Sequence, residues 1–177
     1  MFKSIFDNKK VLVTGHTGFK GSWLCTWLSH LGAEVVGVSD DVVSNPSNYL
    51  ASSVSDFVQD YRMDIRDTNK VASSIKEIQP DFVFHLAAQA LVRPSYENPI
   101  ETMTTNALGT VNVLDALKNL DKKVVAVMIT SDKAYDNVEW VWGYRETDRL
   151  GGKDPYSASK GMAELAISSY VGSFFNT

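Results

Sequence analysis

The sequence predicts a doubly wound α/β fold, with helices on both faces of a parallel β-sheet. Short apolar runs alternate with longer segments of helical period along the chain. The first run, residues 11–13, is apolar without alternation, which is typical of a strand buried on both faces. A glycine-rich turn then separates this run from the first helical segment. We therefore expect one α/β domain over residues 1–177.

Helix and strand boundaries follow from period and punctuation. Phe19, Trp23 and Trp27 recur at every fourth position, which indicates a helix that Gly32 ends. Pro80 stops a later helix. The predicted elements are strand 10–14, helix 18–31, strand 34–38, a loop at 41–59 with room for one short helix, strand 61–63, helix 68–79, strand 81–86, helix 98–120, strand 123–129 and a helix from 155.

Composition and charge exclude several classes of protein. The net charge is −4 with no basic stripe, which argues against a nucleic-acid partner. No stretch approaches the roughly 18 apolar residues of a membrane span, and residues 1–10 are too charged for a signal peptide. Cys25 is the single cysteine, which fits a reducing, cytoplasmic compartment. The three histidines show no metal-ligand spacing, so no metal site is predicted.

The glycine-rich turn is the first candidate binding site. Gly15, Gly18 and Gly21 follow a strand and open a helix, where missing side chains let a pyrophosphate approach the backbone. The helix N-terminus would supply N–H groups to the phosphates. Thr17 and Phe19 lie in the same turn, while Lys20 is equally suited to the diphosphate or to solvent. A glycine-rich turn without a ligand is the alternative.

Two carboxylates follow the second predicted strand. Asp40 and Asp41 come about 20 residues after the glycines, where dinucleotide-binding domains carry an acceptor for the adenosine ribose 2′-OH. A carboxylate would repel a 2′-phosphate, so NAD is favoured over NADP. The sequence does not choose between the two residues, and a solvated loop carboxylate is the alternative for either.

Tyr156 and Lys160 form the second candidate site. Asp154 and Pro155 are typical of a helix start, and a spacing of four residues places Tyr156 and Lys160 on one helix face. A neighbouring cation stabilises a phenolate, which makes Tyr156 a candidate general base. A surface tyrosine beside a surface lysine is the alternative.

With the glycine turn and the Tyr156/Lys160 pair together, the sequence resembles the extended short-chain dehydrogenase/reductase superfamily, whose cofactor domain is a Rossmann fold. The resemblance implies that Tyr156 and Lys160 are catalytic and that Lys160 also holds the nicotinamide ribose. It implies a catalytic Ser131 after the fifth strand. The further cofactor contacts it implies are Asp64 and Ile65 near adenine, then Leu86, Ala87, Ala88 and Asn106.

Longer motifs narrow the resemblance to sugar-nucleotide 4,6-dehydratases. The stretch TSDKAY at 130–135 is similar to their Thr-Asp-Glu signature, with Ser and Lys in the second and fourth positions. The stretches at 15–24, 87–96 and 139–160 resemble the subgroup that acts on CDP-glucose. The resemblance covers the whole chain but only the N-terminal part of the family's protein, so the last strands and the substrate domain are expected to be absent.

This resemblance implies oxidation at C4 of CDP-glucose, loss of water across C5–C6 and return of hydride to C6. Tyr156 would take the 4-OH proton while Ser131 orients that oxygen. Asp132 is the candidate acid and should be partly buried, while Lys133 is the candidate base and should be desolvated or close to another cation. A surface ion pair is the alternative for these two. Arg93 would contact substrate or make a structural salt bridge.

Two other functions remain open at this point. A related NAD-dependent sugar-nucleotide epimerase would need Tyr156 and Lys160 but not Asp132 and Lys133. A truncated chain could bind NAD without activity. The family also implies a homodimer through helices 98–120 and 155–170, whose apolar stripes permit such packing.

Overall fold

The computed structural model describes residues 3–175, which form a parallel β-sheet between two layers of helices. The strands are β1 (Lys10–Thr14), β2 (Glu34–Ser39), β3 (Gln59–Arg62), β4 (Phe82–His85) and β5 (Val125–Met128). The helices are α1 (Lys3–Phe6), α2 (Phe19–His30), α3 (Asn48–Ala51), α4 (Thr68–Ile78), α5 (Val92–Glu97), α6 (Pro99–Met103), α7 (Gly109–Lys118) and α8 (Pro155–Tyr170). The predicted fold class is confirmed.

The strand order is β3-β2-β1-β4-β5, and all four pairings are parallel. The chain moves outward from β1 to β3 and then returns to the other side of β1. The carboxyl ends of β1 and β4 therefore flank the topological switch point, where open α/β sheets bind their ligands. Leu12 pairs with both Val36 and Val83, and all three are essentially inaccessible to solvent.

Apolar side chains cover both faces of the sheet. One cluster joins Leu12, Val36 and Val83 to α4 and α7. The other joins Val11 and Val13 to α2 and to the 48–58 segment. This double burial explains why residues 11–13 of β1 are all apolar, since neither face of the strand meets water there.

Several details differ from the sequence prediction. Strand β3 begins at Gln59 rather than residue 61, and helix α5 lies in a segment that was not predicted as helical. The aromatic stripe of α2 faces outward, with Phe19 73% exposed, because the buried face is formed by the smaller side chains of Gly21, Ser22 and Cys25 together with Leu28.

The long helix predicted at 98–120 is interrupted by a π-helical turn, Thr104–Leu108. A π-turn inserts one residue into the helical repeat and rotates the faces that follow. Ile100 is consequently exposed, whereas Ala107 and Leu114 on the same predicted stripe are buried.

Candidate functional site

The glycine loop, residues 15–21, joins β1 to α2. Gly15 has φ +75°, and a Cβ there would lie 2.7 Å from the backbone nitrogen of Ala87. A Cβ on Gly21 would lie 2.1 Å from the Gly15 carbonyl oxygen. Gly18 precedes α2, and no side chain within residues 3–175 caps this helix. Its first-turn N–H groups thus remain available to an anion, which fits a dinucleotide diphosphate.

Thr17 fastens this loop to the end of β2. Its hydroxyl donates to the Asp41 carbonyl at 2.6 Å, and its N–H donates to Ser39 Oγ at 3.4 Å. The carboxylates of Asp40 and Asp41 are both exposed beside the loop. Their placement suits the ribose acceptor expected at this strand end.

Asp64 and Ile65 follow β3 at the same edge of the sheet. Ile65 is buried beneath Gly109, where an added Cβ would lie 2.5 Å from Ile65 Cδ1. Arg66 forms a 2.6 Å ion pair with Asp64. Hydrogen bonds from Arg66 hold the pKa of the Asp64 carboxyl below its usual 3.8, so this group is ionised and already bound by a guanidinium.

The turn after β4 lies against the turn after β1. The N–H groups of Leu86 and Ala87 both donate to Thr14 Oγ1 at 3.1 Å. The Thr14 hydroxyl lies 2.7 Å from His85 Nδ1. Complete burial lowers the pKa of His85 to about 3, so the ring is neutral and can accept this proton. Ala88 continues the same turn as a half-buried residue.

Asn106 lies in the π-turn and braces this region. Its side-chain oxygen accepts from the Gln89 N–H at 2.8 Å, and its amide donates to the Gln89 carbonyl at 3.0 Å. The amide also donates to Ser159 Oγ in α8 at 2.8 Å. Asn106 therefore connects the segment after β4 to the helix that carries Tyr156 and Lys160.

Tyr156 and Lys160 lie one turn apart on α8 and are both buried. Lys160 Nζ lies 6.0 Å from the centre of the Tyr156 ring. Burial lowers the pKa of the Lys160 ammonium. Asp154 begins the helix as predicted, since its carboxylate accepts from the Ser157 N–H at 3.0 Å.

A 3₁₀ turn, Asp132–Ala134, follows β5 and packs against α8. Ser131 caps it by accepting from the Lys133 N–H at 3.2 Å. Asp132 and Lys133 are exposed. The predicted partial burial of Asp132 and desolvation of Lys133 are therefore wrong for this structure, because the turn lies beside the edge strand β5 and both side chains are open to solvent there.

An open cleft of about 920 Å³ lies between this turn and the start of α8. Residues that line it include Val92, Asp132, Lys133, Tyr144, Asp154 and Ser157. Arg93 is exposed on α5 next to Val92, and no ion pair of its side chain occurs within the described chain. The predicted salt bridge of Arg93 is thus not formed there.

Sequence reasoning missed the residues that support the site. Glu164 accepts a short hydrogen bond from the Thr130 hydroxyl, just before Ser131. Its position two turns after Tyr156 on one helix face was the available signal. Among residues 3–175, no group of three or more His, Cys, Asp and Glu side chains could hold a metal ion. Within the same range, no helix has the length and hydropathy of a membrane span.

The parallel sheet and the glycine loop at its switch point define a Rossmann-type dinucleotide-binding fold. A model of the GDP-mannose 4,6 dehydratase family matches residues 12–174, and the chain belongs to that family. The resemblance to sugar-nucleotide 4,6-dehydratases is therefore confirmed.

Two relatives and two solved structures illustrate the match. A CDP-glucose 4,6-dehydratase of Salmonella typhimurium is 52% identical over 98% of this chain and 48% of its own length. A GDP-mannose 4,6-dehydratase of Yersinia enterocolitica is 30% identical over 94% of this chain and 46% of its own. The chain thus spans about half the length of these relatives.

The structural matches show the same partial coverage. An epimerase from Methanothermobacter thermautotrophicus superposes with a TM-score of 0.83 at 28% identity, over 98% of this chain and 50% of its own. A UDP-glucose 4-epimerase from Thermus thermophilus in complex with NAD gives 0.79 at 32% identity, over 94% and 52%.

Proposed function

We propose that this chain is the cofactor-binding half of a sugar-nucleotide 4,6-dehydratase that converts CDP-glucose to CDP-4-keto-6-deoxyglucose and water. The observation that carries the proposal is the buried Tyr156–Lys160 pair, with the Ser131–Lys133 segment packed against the same helix. The Salmonella typhimurium relative, which bears the name of this activity, supports the choice of substrate.

NAD is the proposed cofactor, and the residues present fit it. The uncapped start of α2 and the side-chain-free surface of Gly15, Gly18 and Gly21 would hold the diphosphate. Asp40 or Asp41 would accept from the adenosine ribose, and Asp64 and Ile65 would flank the adenine. Bound NAD supplies a hydride acceptor for C4 of the sugar and, once reduced, a hydride donor for C6.

Tyr156 would begin the reaction as the base that takes the 4-OH proton. The Lys160 ammonium one turn away would offset the negative charge that develops on the Tyr156 oxygen as the proton is transferred, and burial strengthens that attraction because water screens it less. Ser131 would donate a hydrogen bond to the same sugar oxygen and fix its position. The Asn106–Ser159 hydrogen bond holds α8 in the required place.

Asp132 and Lys133 would carry out the elimination. A ketone at C4 acidifies the C5 proton, which Lys133 would remove, while Asp132 would protonate the departing 6-OH. Both side chains are exposed here, where bound substrate or further chain would cover them. Arg93, at the start of α5 next to the cleft, would contact the substrate.

An epimerase is the second candidate function, because solved epimerases share this fold. An epimerase needs the Tyr156–Lys160 pair but no acid and base after β5. The Asp132–Lys133 pair therefore favours the dehydratase.

The proposed domain arrangement is a Rossmann domain over residues 1–177 followed by a substrate domain. Strand β5 supports it, because Val125, Val127 and Ile129 are exposed at the edge of the sheet and further strands would cover them. We also place the enzyme in the cytoplasm, where the free thiol of Cys25 would stay reduced.

The test combines mass and chemistry. Intact mass of the native protein should be about twice the 19.6 kDa of this chain. Within that protein, Tyr156→Phe should abolish formation of the 4-keto product while NAD binding persists, because only the proton acceptor is lost. Normal turnover by the variant would contradict the role of Tyr156. A native mass of 19.6 kDa would leave only NAD binding to be tested.

A further inference from the structure

His16 occupies the second position of the glycine loop and is completely buried. Its ring packs against β2 so closely that a Cβ on Gly37 would lie 2.4 Å from it. Its Nε2 atom lies 3.1 Å from Asp60 Oδ1 in β3. Burying a polar ring costs free energy unless its partners compensate, and the reaction proposed above does not use this side chain.

Two further side chains hold Asp60 in place. The Tyr49 hydroxyl donates to Asp60 Oδ2 at 2.6 Å, and the Arg62 guanidinium donates to the same oxygen at 2.7 Å. The Tyr49 ring meets the His16 ring edge-on, with centres 5.5 Å apart. We call His16, Tyr49, Asp60 and Arg62 the loop-anchor cluster. It connects the glycine loop to α3 and β3.

The loop-anchor cluster acts on backbone that would touch the cofactor. His16 lies between Gly15, whose N–H donates to the Val38 carbonyl at 2.7 Å, and Thr17, whose hydroxyl donates to Asp41. These bonds hold the first three residues of the loop against the end of β2 and the segment after it. The His16 ring packs between the loop backbone and β2, and it thereby sets the distance between the loop and that strand.

We propose that His16, held by Asp60, is a positioning residue that sets the backbone of the glycine loop for the dinucleotide diphosphate. This inference rests on the proposed binding of NAD. His16 acts through the loop and not by touching the cofactor, because its own side chain is enclosed by β2, α3 and β3. Tyr49 and Arg62 hold the Asp60 carboxylate beside the His16 ring.

The charge of the His16 ring predicts a pH dependence of NAD affinity, which packing of the ring alone would not produce. Burial lowers the pKa of His16 below its usual 6.5, while the Asp60 carboxylate opposes that shift. The titratable groups that face the ring are Asp60 and Arg62 from β3 and Tyr49 from α3. Protonation would place a charge in this enclosed position and disturb the loop. NAD affinity should therefore be complete above pH 6.5 and should fall as pH drops through the lowered pKa.

The fall of NAD affinity at low pH is called the acid limb below. Removing the charge of Asp60 should shift the pH at which this acid limb occurs. Without the carboxylate, protonation of His16 becomes harder, and its pKa falls further. The affinity of Asp60→Asn should therefore decline at a lower pH than that of the parent chain. The asparagine still offers an oxygen to Tyr49 and Arg62.

The experiment is calorimetric titration of NAD into the native protein between about pH 5 and pH 8, the range in which histidine titrates. We expect His16→Asn to weaken NAD binding about tenfold at neutral pH, because binding must then order the loop. This variant should also lose the acid limb. His30→Asn is the matched control, since His30 is exposed at the end of α2, and it should bind as the parent does.

Parent-like affinity and an unchanged acid limb in His16→Asn would overturn the inference. If that variant does not fold, Asp60→Asn carries the test, because its side chain is 21% exposed and keeps its other hydrogen-bond partners. An acid limb that stays in place in Asp60→Asn would then overturn it. Failure of the parent chain to bind NAD at any pH would contradict the proposed function itself, and this inference with it.

Discussion

We propose that one of two neighbouring carboxylates selects NAD over NADP at this site. Asp40 and Asp41 lie at the end of β2, next to the loop that Thr17 fastens to the Asp41 carbonyl. The Asp40 carboxylate accepts from the Asp41 N–H at 2.9 Å, and the Asp41 carboxylate accepts from the Val42 N–H at 2.7 Å. Either side chain would have to exchange its local hydrogen bond for the ribose 2′-OH.

Neutralising the carboxylate that would accept a hydrogen bond from the ribose should reduce the preference for NAD over NADP. We expect either Asp40→Asn or Asp41→Asn to weaken NAD binding about tenfold, the typical value of a charged hydrogen bond, and to narrow the preference over NADP. The other variant serves as the control and should bind as the parent does. Calorimetric titration of both cofactors measures this. Unchanged selectivity in both variants would contradict a carboxylate reader.

Residue identity predicts local pairs better than it predicts burial. The Tyr156–Lys160 proximity follows from helical spacing and is confirmed. The expected burial of Asp132 is not found, because burial depends on what covers β5 and not on the residue itself. The contact of His16 with Asp60 could not be predicted either, since it depends on how β3 pairs with β2.

Helix α8 presents Tyr156 and Lys160, and its start is fixed by Asp154. The Asp154 carboxylate accepts from the Ser157 N–H at 3.0 Å and from the Ser157 hydroxyl at 2.6 Å. Tyr156 lies in this first turn, and its own N–H donates to Ser95 Oγ at 3.2 Å. The cap therefore sets the position of the candidate base as well as the end of the helix.

Removing this cap should destabilise the chain measurably. We expect Asp154→Ala to lower the free energy of unfolding by about 1 kcal/mol at neutral pH, as N-cap losses do. Asp154→Asn keeps a capping oxygen and should cost only part of that. Urea unfolding followed by circular dichroism measures both. An unfolding free energy of Asp154→Ala equal to that of the parent would contradict the capping role.

The same cap predicts a pH dependence. Burial acts to raise the pKa of Asp154, but the hydrogen bonds from Ser157 outweigh it, and the pKa lies below 3.8. A carboxyl group whose pKa is lower in the folded chain than in the unfolded chain stabilises the fold at pH values above its unfolded pKa. This stabilisation is lost as the pH falls through the folded pKa. The difference between the parent chain and Asp154→Asn should therefore shrink as the pH is lowered below 3.8.

Elements with a strong pattern could be predicted, and those built on context could not. Strands β1 and β2 are apolar because they are central, so their runs are visible in the sequence. Strand β3 has the polar sequence QDYR because it is an edge strand. The predicted strand, 61–63, therefore begins later than the observed one. Helix α5 has only six residues and contains Pro94, which argues against a helix when the sequence alone is considered. The π-turn has no signal in the sequence, because it is associated with a tertiary contact, the hydrogen bond from Asn106 to α8.

At the scale of the whole molecule, helix α6, the π-turn after it and helix α8 leave an apolar surface open. The exposed residues are Ile100 on α6, Leu108 at the end of the π-turn, and Met162 and Leu165 on α8, which packs against both. Large apolar side chains that cluster at a surface mark interaction sites more often than isolated ones do. We propose that this surface pairs with its copy in a homodimer, because a two-fold interface uses the same patch twice.

A charge in this surface should separate the two copies. We expect the parent chain to sediment as a dimer of twice 19.6 kDa. Leu165→Arg should weaken the association at least about tenfold, because a buried unpaired charge would face its copy across the two-fold axis. Val43→Arg is the matched control, since Val43 is equally apolar and 78% exposed but lies in the loop after β2. Sedimentation equilibrium distinguishes the outcomes: a monomeric parent chain would contradict the dimer, and a dimer that Leu165→Arg leaves intact would place the interface on another surface.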